Sequence, residues 1–340
     1  MNNYEMKIAI HKSGEFVERW IAYCEANRIQ YKIINCYDND IIEQLDDCDA
    51  LMWHHFHASH KDVKFAKQLL FSLEQAGKIV FPNFNTAWHF DDKVGQKYLL
   101  EAIKAPMVPS YVFYSKKDAL KWAESASFPK VFKLRGGAGS SNVRLVQTQK
   151  IAKKLIYKAF GRGFAQYDKL GNLKDRWRKY RQGKTTLFDV LKGCVRIFHT
   201  TDFARMVGNE KGYVYFQDFV PNNHTDYRIK IVNGYCWGFQ RKVRDKDFRA
   251  SGSGELIYDN SQIPLEMIKT AFTVNKKLKL QSVAFDFLMQ NSLPLIIEMS
   301  YGFGFDNEQM QHGYWDADLI WHEGNINPFG WMIEIFLRNE

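Results

Sequence analysis

Phe128-Pro129-Lys130-Val131-Phe132-Lys133-Leu134-Arg135-Gly136-Gly137-Ala138-Gly139-Ser140-Ser141-Asn142-Val143 runs a short apolar strand into a loop of glycines and hydroxyls. Glycine lets backbone N–H groups point inward without a Cβ in the way, and Ser140 and Ser141 add donors. Lys133 brings a point charge to the mouth of the loop, so the segment has the chemistry to hold a polyphosphate. It is not a Walker loop, because no Gly-Lys-Ser/Thr closes it. A glycine-rich hairpin is the plainer alternative, and the remainder of the chain decides between the two.

Working outward, the chain has 340 residues, enough for two or three domains with real cores. With 46% hydrophobic and 25% charged residues the composition is globular, and no apolar run approaches the roughly 18 residues of a spanning helix. Met1 to Lys7 lead into a strand without the basic flank and apolar stretch of a signal peptide, so a cytoplasmic protein is expected. Cys24, Cys36, Cys48, Cys194 and Cys236 are odd in number and dispersed, which argues for free thiols over a disulfide framework or zinc site. The net charge of +9 suits an anionic partner: nucleic acid, a membrane surface or a phosphorylated small molecule. Much of the excess lies between Lys150 and Lys211, where a solvated basic helix or an inserted lid is the ordinary reading.

The first ninety or so residues alternate in the α/β manner. Strands are predicted over Lys7–Ile10, Tyr31–Ile34, Ala50–Trp53 and Ile79–Phe81, with helices over Glu15–Asn27 and Asp62–Gln75, giving a small parallel sheet. No GxGxxG follows the first strand, so this region is expected to pack or to help hold a substrate and not to bind a dinucleotide. Asp92 and Lys93 open a predicted helix to Ile103, and Pro106 and Pro109 then break the chain, placing a boundary near 105. An α+β unit with strands Ser110–Tyr114, Val131–Leu134 and Asn142–Val146 resumes at Tyr213–Val220 after the basic insertion of about 150–212. The expected domains are therefore 1–105, 106–220 and 221–340, the last holding strands Tyr227–Val232, Tyr235–Lys242, Ser282–Met289 and Leu293–Ser300 and a helix over Pro264–Leu278.

The last two strands flank Gln290-Asn291-Ser292 and read as a hairpin. With the turn centred on Asn291, Asp286 faces Ile296, Glu298 is its diagonal neighbour, and both acids emerge with Ser300 on one face. Converging carboxylates repel unless a cation or donor lies between them, and an open, oxygen-rich site of this kind suits Mg²⁺. Solvent-facing acids on an amphipathic hairpin are the structural alternative. Asp226 and Arg228 alternate onto one strand face, and Arg241, Arg244 and Arg249 precede a Ser/Gly-rich turn, a set able to neutralise a transferring phosphoryl group. The run Trp53-His54-His55-Phe56-His57 follows a strand and is expected to line a loop; a metal site is disfavoured for want of a second ligand group. The aromatic stretch beyond Ser300, from Tyr301 to Trp331, reads either as packed core or as a substrate wall.

The order of these parts resembles the ATP-grasp superfamily over most of the chain, and looks closest to the RimK-like branch of carboxylate–amine ligases. The resemblance implies an ATP-grasp fold, α/β and α+β, behind a parallel α/β pre-ATP-grasp domain. It implies that Lys93, Lys133 and the loop of Gly136, Gly137, Gly139, Ser140 and Ser141 hold ATP, that Gln217, Asp218, Phe219 and Val220 form the adenine hinge, and that Asp226 faces the ribose. Arg228, Arg241 and Arg249 would face the triphosphate or an acyl phosphate as the catalytic cations. Asp286, Glu298 and Ser300 would ligate Mg²⁺ or Mn²⁺. Two positions depart from the pattern: the hinge begins with Gln217 where Glu is usual, and Ser300 stands where Asn is usual. The implied activity is ATP-dependent joining of a small-molecule carboxylate to an amine or thiol through an acyl phosphate, in a chain that could pair as a homodimer. A small-molecule kinase on the same ATP site is one alternative. A nucleotide-binding scaffold or basic nucleic-acid-binding protein is another, disfavoured because only Trp177 and Tyr180 interleave the cations of Lys174 to Arg181.

Overall fold

Strand β1 (Lys7–His11) starts a four-stranded parallel sheet with β2 (Gln30–Ile34), β3 (Ala50–Met52) and β4 (Ile79–Phe81), in the order β2-β1-β3-β4. The computed structural model describes residues 6–137, 142–165, 173, 176–177, 180–181, 185–198, 202–244, 247–252 and 254–337. Helix α1 (Val17–Asn27) follows β1 and buries Val17, Trp20 and Cys24, the spacing of one helix face. It ends where Arg28 turns left-handed at φ 56°. After the short α2 (Ile41–Gln44), α3 (His60–Gln75) is started by Ser59, whose side chain accepts from the Asp62 backbone N–H. Asn83 caps α4 (Phe84–Ala87) in the same way, and Asp92 caps α5 (Lys93–Ala102) by accepting from Gly95 N at 2.9 Å.

The chain divides into two units, 1–108 with 220–340, and 109–219. The stretches expected as the first and third domains thus lie in one unit. The second unit holds β5 (Ser110–Phe113), α6 (Lys116–Ser125), β6 (Lys130–Lys133), β7 (Arg144–Val146), α7 (Gln149–Ala159), α8 (Leu187–Phe198), α9 (Asp202–Val207) and β8 (Val214–Asp218). Its antiparallel sheet runs β5-β8-β6-β7, with Phe132 and Phe216 packed among Ala119, Ala123, Leu155 and Ile156 of α6 and α7.

The first unit resumes with β9 (Thr225–Val232), β10 (Tyr235–Lys242), β11 (Leu256–Ile257), α10 (Leu265–Leu278), β12 (Ser282–Gln290), β13 (Leu293–Ser300), β14 (Tyr314–Trp315), β15 (Trp321–His322) and α11 (Pro328–Leu337). Its large sheet runs β13-β12-β9-β10-β14-β15, with β11 added to β10. Two two-residue turns with positive φ at both positions, Asn233-Gly234 and Asn291-Ser292, fix the hairpins β9–β10 and β12–β13. One face of this sheet, with Ile229, Ile231, Val283, Phe285 and Met299, buries against Met267, Ile268 and Ala271 of α10. The aromatic stretch after Ser300 is largely core: Tyr301 and Phe303 are buried, and Phe303 joins Phe16, Trp20 and Phe329 in one cluster.

The histidines after β3 are core as well. His54 stacks on Phe16 with centroids 3.8 Å apart, and the His55 carbonyl accepts from Tyr301 Oη at 2.7 Å. Burial pushes the imidazole of His54 down to about 4 and that of His55 down to about 3. An unfolded histidine titrates near 6.5, so between about 6.5 and 4 the unfolded chain takes up protons that the folded chain refuses. Stability should therefore fall as pH drops through that window, by about 1.4 kcal/mol per pH unit for each such imidazole. Chemical denaturation at a series of pH values checks this, and His54→Gln should flatten the slope; an equally steep profile in that variant would count against it.

Candidate active site

Alternation along β9 sends Asp226, Arg228 and Lys230 to the sheet face opposite α10. The register sets Arg241 of β10 across from Asp226, and Asp286 of β12 across from Arg228. Arg241 grips Asp226 with two contacts of 2.7 Å and reaches Asp286 Oδ2 at 2.8 Å. Arg228 holds the same Asp286 with Nε and Nη2, at 2.8 and 2.9 Å. Two-pronged guanidinium contacts of this kind are the strong class of ion pair. Burial works against charge on Asp286, yet Arg228 and Arg241 hold its carboxyl well below the usual carboxylate range.

The hairpin register differs from the sequence expectation. Asp286 faces Glu298 directly, not Ile296, because the turn is Asn291-Ser292 and β13 carries one extra residue, Ile297, between Ile296 and Glu298. The cause lies on the outer edge of β13: Ile296 donates to Pro106 O at 2.9 Å and accepts from Val108 N at 3.0 Å, and the strand bulges beyond that docking point. Helix α5 then clamps β13. Gln96 donates to the Met299 carbonyl at 2.7 Å and accepts from the Met299 N–H at 3.2 Å. Lys93, one turn earlier on α5, lies 3.1 Å from Glu298 and 3.9 Å from Asp91. Burial alone would lower the Lys93 ammonium, but Glu298 and Asp91 outweigh it and hold the group above its ordinary value.

Three cations thus meet Asp226, Asp286 and Glu298, and among the described residues no group of three His, Cys, Asp or Glu is set to hold a metal ion by itself. The donor set fits a divalent cation that arrives with its own anion. Asp286 and Glu298 are directly opposed on one face, while their charge is already balanced by Lys93, Arg228 and Arg241. Ser300, on the same face, donates to the Gly302 carbonyl at 2.6 Å. Arg249 is paired with Asp247 at 2.7 Å.

In the second unit, Lys133 is buried on β6 and its ammonium donates to Gln217 Oε1 at 2.6 Å; Gln217 Nε2 donates to Ser110 Oγ at 3.1 Å. The side chain expected at the head of the adenine hinge therefore contacts the loop lysine. On the other face of β6, Lys130 lies 2.5 Å from Asp218, and the Asp218 N–H donates to Pro109 O. Arg135 N donates to Tyr213 Oη at 2.6 Å, which ties the start of the glycine loop to the residue before β8. Gly137 has φ 118°, a conformation glycine takes without strain. Gly139, Ser140 and Ser141 lie outside the described residues. Phe219 and Val220 follow β8 at the division between the units.

Sequence reasoning gave no role to Gln96, Lys130 or Lys230, and took His57 only as part of a loop-lining run. His57 lies near Asp91, Lys93 and Glu298, which all act on its titration after burial, the dominant effect. Lys230 is fully buried, donates to Gly304 O at 2.8 Å and sits 4.7 Å from the Phe303 ring centre. Burial pushes its ammonium well below the lysine range. The alternation Asp226, Arg228, Lys230 was the available signal for it.

No family model and no curated protein matches this chain. Solved structures do. A RimK-domain ATP-grasp protein from Sphaerobacter thermophilus superposes with a TM-score of 0.52 at 12% identity, over 86% of this chain and 90% of that one. D-alanine–D-alanine ligase from Bacillus anthracis, complexed with ATP, gives 0.53 at 14% identity over 88% and 87%. The ATP-grasp ligase PsnB, complexed with a minimal precursor, Mg and ADP, gives 0.53 at 10% identity over 97% of both chains. The chain has the ATP-grasp fold.

Removing Arg241 would leave Asp226 and Asp286 without their shared partner. Arg241→Met should cost about 3–5 kcal/mol of stability, the usual loss on breaking a buried ion pair from one side. Lys242→Met, on the exposed neighbour, should leave the denaturant midpoint nearly unchanged. Equal midpoints for the two variants would contradict the reading of the row as a coupled unit.

Proposed function

We propose that this chain is an ATP-dependent ligase that joins a carboxylate to an amine or thiol. The observation that carries the reading is the Arg241, Asp226, Arg228, Asp286, Glu298 and Lys93 row, a charge-balanced face on rigid strands. It is supported by the buried lysine at the start of a glycine loop in the second unit and by the shared fold.

The reaction is an oxygen of the substrate carboxylate attacking the γ-phosphorus of ATP, with the bond to the β,γ-bridging oxygen breaking and ADP leaving. The nucleophile's lone pair then attacks the acyl carbon, the carbon–oxygen bond to phosphate breaks, and the nucleophile's proton passes to phosphate or solvent. Lys133 and Lys93 bind phosphate oxygens, while Arg228 and Arg241 offset charge that builds on the transferring group. Asp286 and Glu298, with Ser300, would hold Mg²⁺ or Mn²⁺, which supplies charge neutralisation at the phosphates.

Charge balance gives this reading a test. A bare divalent cation would add uncompensated positive charge to this face, whereas one brought with ATP arrives with its charge already offset by the phosphates. ATP with magnesium should therefore raise the unfolding temperature well beyond magnesium alone, by the equivalent of about 2.7 kcal/mol at a hundredfold excess over Kd. Equal stabilisation by magnesium alone would contradict the balance. Lys133→Ala and Glu298→Ala should each abolish ADP formation, read by coupled assay during a screen of carboxylates and amines, with circular dichroism retained. Turnover unchanged in either variant would overturn the assignment, and label from the γ-phosphate retained on the acceptor would make the enzyme a kinase.

A further inference from the structure

Between Lys150 and Lys211 the chain carries sixteen Lys and Arg against five Asp and Glu; the remainder holds 31 against 33. The whole positive excess therefore sits in this insertion, outside the part of the chain that holds Lys93, Lys133, Arg228 and Arg241. A charge separated from the proposed chemistry calls for a partner of its own.

The start of α8 shows what kind. Leu187, Phe188 and Leu191 are 50%, 64% and 54% exposed on adjoining positions of the helix, while Val190 turns inward. The Lys192 ammonium lies 4.5 Å from the Phe188 ring centre, so cation and apolar surface share one place. Arg176 donates to the Asp189 carbonyl at 3.0 Å, which sets the exposed Trp177 beside this helix, with Tyr180 at 5.8 Å from it.

We propose that this face of the second unit seats on an anionic lipid surface. Phosphate-bearing headgroups answer Lys192 and the net positive charge of this stretch of sequence. The acyl boundary just beneath them takes up Leu187, Phe188 and Leu191, and Trp and Tyr rings suit the depth between. A nucleic acid would satisfy the charge but offers nothing to two exposed leucines. Among the described residues no helix is long and apolar enough to cross a membrane, so the contact is one of lying on the surface.

Sedimentation of the full chain with vesicles tests this. Vesicles of phosphatidylcholine containing about one-third phosphatidylserine should bind at least about tenfold more protein than phosphatidylcholine alone, with binding weakened by added salt. Leu187→Ser combined with Phe188→Ser, both at exposed positions, should lower binding by about tenfold while ATP turnover in solution is kept. Equal partition into both vesicles, no partition, or a variant that binds as well as the parent overturns the proposal. A short single-stranded oligonucleotide that binds more tightly than the anionic vesicles does so too, and reassigns the face to nucleic acid.

Discussion

Asp226 of β9 and Asp286 of β12 share one guanidinium, that of Arg241 on β10. Each acid would be costly to bury alone, and Arg241 reaches both. Arg228 completes the grip on Asp286, and Lys93 pairs with Glu298. The arrangement needs four strands in fixed register and one helix docked at their edge, so the polar row and the fold specify one another. An apolar row of similar volume could stabilise the sheet as well. A sheet face of ion pairs is therefore better understood as a prepared electrostatic surface than as a source of stability.

Much of this was legible in the residues themselves. Strand-length apolar runs, the turn residues around Asn291 and the helix opening at Asp92 named many elements to within a few residues, and alternation along the strand put Asp226 and Arg228 on one face. The identity of partners was not legible. Nothing local to Gln217 says that it accepts from Lys133, and nothing local to Gln96 says that it clamps the main chain of Met299, since both pairings join positions over eighty residues apart. The bulge was hidden for a related reason: it answers to the pairing of Ile296 with Pro106 and Val108, far away in sequence. The histidines after β3 were expected to line a loop, and His54 and His55 are buried instead among Phe16, Phe90 and Tyr301.

The second unit places its own charged groups by the same rule of paired burial. Lys133 and Lys130 sit three residues apart on β6 and so point to opposite faces, one toward Gln217 and the other toward Asp218. One strand thereby feeds two separate polar contacts, and the Tyr213 hydroxyl fixes the point where the chain leaves that strand. Whatever freedom the glycines confer begins after Arg135.

Ile297 has a further consequence for reading other chains against this one. Between the turn and Ile296 the two arms of the hairpin match by one constant sum of residue numbers, and from Glu298 onward by a sum larger by one. A relative with a regular hairpin can keep its acids face to face only by dropping one residue here. An ungapped alignment carried through the hairpin from Asp286 would then set that relative's second acid against Ile297, and the acid pair would look lost where it had merely changed count.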